Sequence, residues 1–234
     1  MKKKIALICA IIFLISFLVF TVLVMKADVQ AIGPKDSKVG LATINGAVAD
    51  AVGYNETWYN ISNYVGYFAI LVSAGFALFG LFQVIKRKSL FKVDSHIIIL
   101  GIFYVAVFGT YILFELFEIN YRPILIDGAL EASYPSSHTM LSLCIMSTAI
   151  FEFHMLLKNR KALIIVADVL CVAIGATVLV GRILSGVHWF SDIIAGILVS
   201  GILVCTFFFA ALLAKEKSKL KAKNKTLSEN TVND

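Results

Sequence analysis

Apolar residues in this chain come in long runs separated by short polar stretches. Six runs stand out, at about residues 5–25, 64–85, 96–119, 138–157, 162–181 and 189–214. About 20 residues at about 1.5 Å rise cross a hydrocarbon core of about 30 Å, so each run predicts one transmembrane helix. Little chain is left for a soluble domain. The pattern therefore predicts an all-α polytopic membrane protein with six transmembrane helices. It divides into a first helix at 1–25, an extracytoplasmic segment at 26–63, a five-helix membrane domain at 64–214 and a basic tail at 215–234. The first run follows Met1-Lys-Lys-Lys4, but its apolar core is longer than that of a signal peptide, which predicts an uncleaved anchor. Within 26–63, Leu41, Ile44, Val48 and Ala51 recur at helical spacing. They predict a short helix on the outer membrane surface that pads the interface rather than covering a site.

Composition agrees, with 59% hydrophobic residues in 234. The net charge of +6 alone would suit a nucleic-acid partner, but its placement excludes that reading. Basic residues cluster at Lys2–Lys4, at Lys86–Lys92, at Lys158–Lys161 and along the tail from Lys215 to Lys225, together 16 of the 21. All of these lie on one side of a six-span layout. The positive-inside rule makes that side, with both termini, cytoplasmic. A lysine- and isoleucine-rich composition points to a bacterial plasma membrane. Cys9, Cys144, Cys171 and Cys205 all fall inside the runs with no metal-ligand or disulfide spacing, and read as small hydrophobes. Glu152, His154 and Asp168 fall toward the cytoplasmic ends of their spans, where hydrogen bonds among them across the helices are expected.

The remaining polar residues gather on the opposite, outer face. Arg122-Pro123 follows the third span, Pro135-Ser136-Ser137-His138 opens the fourth, Arg182 closes the fifth, and His188 and Asp192 open the sixth. They come from two different hairpins, so chain continuity alone does not bring them together. Their chemistry suits an anion. Pro135 fits a first helical turn, where a missing N–H costs nothing. Ser136 and Ser137 can cap that helix and leave backbone donors for a phosphate. Two arginines add forked donors. His188 and Asp192, four apart, face one another on a helix, so the carboxylate fixes the tautomer and leaves the other ring nitrogen nucleophilic. His138 is then free to donate a proton. Cysteines placed at Ser133 and Ser185, in the loops of this face, are expected to react with an impermeant thiol reagent from outside.

The stretches Tyr121-Arg-Pro123, Tyr134-Pro-Ser-Ser-His138 and Gly181-Arg-Ile-Leu-Ser-Gly-Val-His-Trp-Phe-Ser-Asp192 resemble the three signature motifs of the type 2 phosphatidic acid phosphatase family of membrane lipid phosphatases. Arg182, His188 and Asp192 match the third motif in spacing, with Gly181 in place of its serine. Pro135-Ser136-Ser137-His138 stands where the second has Pro-Ser-Gly-His. Arg122-Pro123 matches the end of the first, but Glu115 stands where that motif has a lysine. The resemblance implies hydrolysis of a phosphate ester or anhydride on a lipid, without metal or cofactor. It makes His188 the nucleophile of a phosphohistidine intermediate, Asp192 its orienting partner and His138 the acid that protonates the leaving oxygen. Arg122, Arg182, Ser136, Ser137 and the neighbouring amides then hold the phosphoryl oxygens. Glu115 is expected to stay off the phosphate and to pair with Arg122, Arg182 or His138.

Three rival readings differ in chemistry. His138, His188 and Asp192 could form a two-histidine, one-carboxylate iron site, but two arginines there would repel a cation. Haloperoxidase chemistry on related motifs belongs to soluble proteins. A catalytically weak lipid-binding or scaffold protein finds its support in Glu115.

Overall fold

The computed structural model describes the backbone of residues 1–232 and the side chains of residues 1–217 and 220. Among the described residues are seven α-helices: α1 Lys2–Lys26, α2 Ala42–Val52, α3 Glu56–Arg87, α4 Ser95–Leu116, α5 Ser137–Leu157, α6 Lys161–Leu184 and α7 Phe190–Val232. All except α2 are long and apolar enough to cross a membrane. The chain is thus an integral membrane protein of the all-α class, as its runs predict. Helix α7 continues through the stretch read as a tail from residue 215. Residues 233–234 and the side chains of Lys219, Lys221, Lys223 and Lys225 lie outside the described residues.

Helix α5 is the most enclosed span, packed against α3, α6 and α7, while α1 lies along α7. Outward faces carry exposed Leu, Ile and Val, such as Ile102, Val105, Ile165 and Val169. Hydrocarbon solvates such faces, while the interior combines a core of Phe76, Leu100, Phe103, Met140, Ile145 and Phe207 with buried small and polar residues. Gly181 illustrates the closeness this permits. A Cβ there would fall 2.8 Å from Ser62 Cβ on α3, which leaves no room for a serine.

Helix α3 begins at Glu56, eight residues before the apolar run that announces it. Asn55 caps it, its Oδ1 accepting from the Trp58 amide at 3.1 Å. Its first two turns carry Asn60 and Asn63, too polar to be read as span, yet they continue the same helix. At the other end Arg87 Nη1 donates to Asp94 Oδ1 at 2.8 Å, and Gln83 Nε2 donates to Asp94 Oδ2 at 2.9 Å. The Arg87 guanidinium holds the Asp94 carboxyl below the usual carboxylate range and locks the turn into α4. The expected three-way contact among Glu152, His154 and Asp168 is corrected here. His154 pairs with Asp168 at 2.9 Å, whereas Glu152 turns inward to His96 at 2.6 Å.

The outer segment is also more than padding. Asn45 of α2 is buried; its Nδ2 donates to Ser191 Oγ at 2.9 Å, and its Oδ1 accepts from the Ser191 amide at 3.0 Å. A side chain 146 residues away thereby satisfies an orphan donor at the start of α7. The periodicity of Leu41, Ile44, Val48 and Ala51 shows the helix but is blind to this contact, because Asn45 stands between its apolar positions.

Candidate active site

The connection between α4 and α5 is a narrow loop folded back on itself. Tyr121 bridges Ala132, and Ile126 bridges Ala129. Arg122 sits on this loop with its amide donating to the Glu131 carbonyl and its Nε donating to Glu131 Oε2, both at 3.0 Å. The loop meets the short segment between α6 and α7. Trp189 Nε1 donates to the Tyr121 carbonyl at 2.6 Å, and Arg122 Nη1 donates to the Val187 carbonyl at 3.4 Å. Two hairpins far apart in sequence are thereby fastened at one place.

His188 stands in that segment, two residues before α7, so it does not share a helix with Asp192 as its spacing suggests. The two nevertheless face each other, with His188 Nδ1 at 3.7 Å from Asp192 Oδ2. That separation is longer than a hydrogen bond. On the other side of the ring Arg122 Nη1 lies 3.3 Å from His188 Nε2. A guanidinium only donates, so Nε2 is the acceptor and the neutral ring carries its proton on Nδ1, toward Asp192. Burial, and then the charges of Arg122 and Arg182, push the His188 imidazole well below its usual pKa. The ring stays neutral at physiological pH.

Asp192 is fully buried in the first turn of α7. Its Oδ2 accepts from the Trp189 amide at 3.0 Å, and its Oδ1 accepts from Asn120 Nδ2 at 3.2 Å. Its backbone carbonyl accepts from the Ser136 amide at 2.9 Å, which ties the start of α5 to the start of α7.

Helix α5 begins at Ser137 with Ser136 in the cap position, so Pro135 precedes the helix instead of opening its first turn. Ser136 is fully buried and shares its hydroxyl with Thr139 Oγ1 at 3.0 Å. The amides of Ser137, His138 and Thr139 have no acceptor among the described residues. They make a small nest of donors at a positive helix end. His138 follows, its Nδ1 buried with no partner among the described residues. It has room because Gly66 of α3 lies opposite, where a Cβ would come within 3.2 Å of the ring.

Arg182, in the last turn of α6, is fully buried. It donates from Nη2 to Asn63 Oδ1, and its guanidinium lies 5.5 Å from the Tyr59 ring centroid. Its Nε has no partner among the described residues. Asn63 and Tyr59 come from the two outer turns of α3, and the sequence reading missed both. Their spacing of one helical turn was the available signal.

Glu115 does not pair with Arg122, Arg182 or His138. Glu131 takes Arg122 instead, and no ion pair to Glu115 is present among the described residues. Glu115 borders a gap of about 10 Å³ together with Ser137 and His188, room for a single water. A cavity of about 220 Å³ adjoins it, lined by Gly66, Tyr67, Phe108, Tyr111, Ser137 and His138. Phe108 in turn borders an apolar cleft of about 880 Å³ between α3 and α4. Among the described residues no group of three His, Cys, Asp or Glu side chains is placed to hold a metal ion.

The profile of the PAP2 superfamily matches residues 103–217, which include Arg122, His138, Arg182, His188 and Asp192. No curated protein sequence matches the chain. The fold is similar to the crystal structure of the first transmembrane PAP2-type phosphatidylglycerolphosphate phosphatase from Bacillus subtilis. That match has a TM-score of 0.57 and 20% sequence identity, and covers 88% of this chain and 96% of the other.

Proposed function

This chain belongs to the PAP2 superfamily, and we propose that within it the protein is a membrane phosphatase that removes phosphate from a phosphorylated lipid through a phosphohistidine. The observation that carries this reading is Arg182, which is fully buried and, among the described residues, has no carboxylate partner and an Nε without an acceptor. A buried unpaired cation is costly unless a ligand supplies the negative charge. Near it stand the nest of amides at the start of α5, without acceptors among the described residues, and the neutral imidazole of His188.

The chemistry then runs in two halves. The phosphoryl group settles between Arg122, Arg182 and the amides of Ser137, His138 and Thr139, and draws Arg122 Nη1 away from His188 Nε2. The freed lone pair attacks phosphorus and forms the N–P bond. The bound phosphoryl charge favours the imidazolium form of His138; as the bond to the leaving oxygen breaks, that imidazolium gives the oxygen a proton and becomes neutral. Asp192 steadies the imidazolium that forms. In the second half His138 takes a proton from water, the water oxygen attacks phosphorus, and the N–P bond breaks to release phosphate. Fixed donors stabilise the charge spread over the phosphoryl oxygens at both steps. The apolar cleft between α3 and α4 suits the lipid's hydrocarbon chain, with the cavity beside His138 joining it to the phosphate.

Glu115 favours the second reading. A carboxylate at the edge of the gap that His188 also borders repels a phosphoryl dianion, and a chain so handicapped would act as a lipid-binding or scaffold protein without turning lipid over. Detergent-purified protein, without added metal, should release phosphate from at least one of undecaprenyl diphosphate, phosphatidic acid and phosphatidylglycerophosphate. Silence on all three would favour the binding protein. Glu115→Lys should tighten inhibition by vanadate, since the repulsion is exchanged for attraction.

The site is proposed to face outward. Ser133 and Ser185 are buried, so neither suits a thiol reagent. Exposed Ala129 and Phe91 stand at opposite ends of the helix bundle. In a variant lacking the four native cysteines, Ala129→Cys should be labelled by an impermeant reagent in intact cells, and Phe91→Cys only after lysis. The reverse pattern would invert the topology.

A further inference from the structure

Asn120 belongs to none of the motifs, yet it is almost completely buried, at 2% exposure. It lies at the start of the α4–α5 loop and reaches across 72 residues of sequence to Asp192. Its backbone is held firmly. The Asn120 carbonyl accepts both from the Ser133 amide at 2.9 Å and from Ser133 Oγ at 3.1 Å. With its main chain fixed there, its side chain has little freedom left. Asp192 accepts only, so the Asn120 NH2 must face it, at 3.2 Å from Oδ1.

We propose that Asn120 is a positioning residue for the reaction, orienting the Asp192 carboxylate toward His188. The inference rests on the phosphatase reading above. A carboxylate is planar and turns about one bond, so fixing one oxygen sets the direction of the other. Asp192 Oδ2 is the oxygen nearest His188 Nδ1, and the Trp189 amide also claims it. With that amide alone, the carboxylate could still rock about its Cβ–Cγ bond within the angular tolerance of a single hydrogen bond. The second hydrogen bond, from Asn120 to Oδ1, fixes the plane in which Oδ2 presents its free lone pair to the imidazole. The choice of an amide has a physical reason too. A neutral donor holds the carboxylate without cancelling its charge, whereas a lysine there would compete with the imidazolium for it. A second carboxylate would share a proton with Asp192 and weaken it.

Four variants test this: Asn120→Ala, Asn120→Asp, Asp192→Asn, and Asn120→Ala combined with Asp192→Asn, each assayed by release of radiolabelled phosphate from the best lipid of the panel. For Asn120→Ala, kcat should fall about 10- to 100-fold, the scale on which small misplacements act. KM should stay nearly constant, because the lost interaction serves the transition state. Asn120→Asp should recover activity relative to wild type as pH is lowered from 8 to 6, because the introduced carboxyl can donate to Oδ1 only while protonated. In the Asp192→Asn background, Asn120→Ala should cost almost nothing further, since the group it positions is gone. A merely structural asparagine would give an undiminished further loss in that background and a flat pH ratio for Asn120→Asp. Either result overturns the proposal, as does wild-type kcat in Asn120→Ala that melts normally. Should Asn120→Ala fail to fold, the pH ratio of Asn120→Asp decides alone. A wild-type protein silent on the whole panel would defeat the phosphatase reading itself, and this inference with it. Active wild type together with any of the overturning results defeats only the role of Asn120.

Discussion

His188→Ala should abolish phosphate release and leave no acid-labile phosphoenzyme, while the protein still folds in detergent. Loss of the nucleophile from a constellation that acts as a unit is worth on the order of 10⁵-fold in kcat. No neighbouring group can replace it. His138 lies against Gly66, and its Nδ1 is enclosed. Asp192 has each oxygen engaged by an N–H. The same substitution has a stability signature. Burial and two arginines keep His188 neutral in the folded state, whereas the unfolded chain's imidazole takes up a proton below about pH 6.5. Between that pH and the folded pKa the unfolded state binds more protons, so stability falls as pH falls, by up to about 1.4 kcal/mol per unit. His188→Ala removes this slope. In phosphate-free detergent the variant's melting temperature should depend less on pH between 7 and 5 than that of wild type. Full phosphate release by His188→Ala would refute the nucleophile assignment, and an unchanged slope would refute the neutral buried ring.

The apolar runs made the six spans legible, because crossing a bilayer demands length and hydropathy and little else. The gathering of Arg122, His138, Arg182, His188 and Asp192 was legible for a related reason. In a six-span layout each falls at the end of a helix on the same face. What lay hidden were the partners that hold these groups. Asn120, Asn63, Asn45 and Glu131 are common surface residues, and no local pattern marks a polar side chain that will be buried by a contact across the chain. Glu115 shows the limit most clearly. Its position in the motif suggested a pairing with Arg122, but Glu131 lies directly across the folded loop and takes that arginine through main chain and side chain together. Helical spacing likewise set His188 facing Asp192, which the structure has at 3.7 Å and beyond hydrogen-bond distance, while misplacing His188 on the helix. The segment before α7 has the same reach by a different path.

Arg182→Gln should separate stability from function, moving them in opposite directions. In the folded protein Arg182 is fully buried, with Asn63 Oδ1 and the Tyr59 face as its main partners and an unsatisfied Nε. Neither partner carries a full negative charge. An uncompensated buried cation costs several kcal/mol in desolvation, and replacing such a group by a neutral one of similar size is often neutral or stabilising. Glutamine keeps a donor for Asn63 and sheds the charge, so the ligand-free variant should melt no lower than wild type. Vanadate should raise the melting temperature of wild type, because a ligand bound only by the folded state stabilises it. That rise should disappear in Arg182→Gln. Turnover should suffer most of all, since the guanidinium meets charge that grows on the phosphoryl oxygens at the transition state. A loss on the order of 10³-fold in kcat/KM corresponds to about 4 kcal/mol of transition-state stabilisation, the size expected of a strong preorganised donor. If Arg182→Gln instead lowers the ligand-free melting temperature sharply while vanadate still protects it, Arg182 is a strut between α6 and α3. The phosphate must then be held by Arg122 and the α5 amides alone.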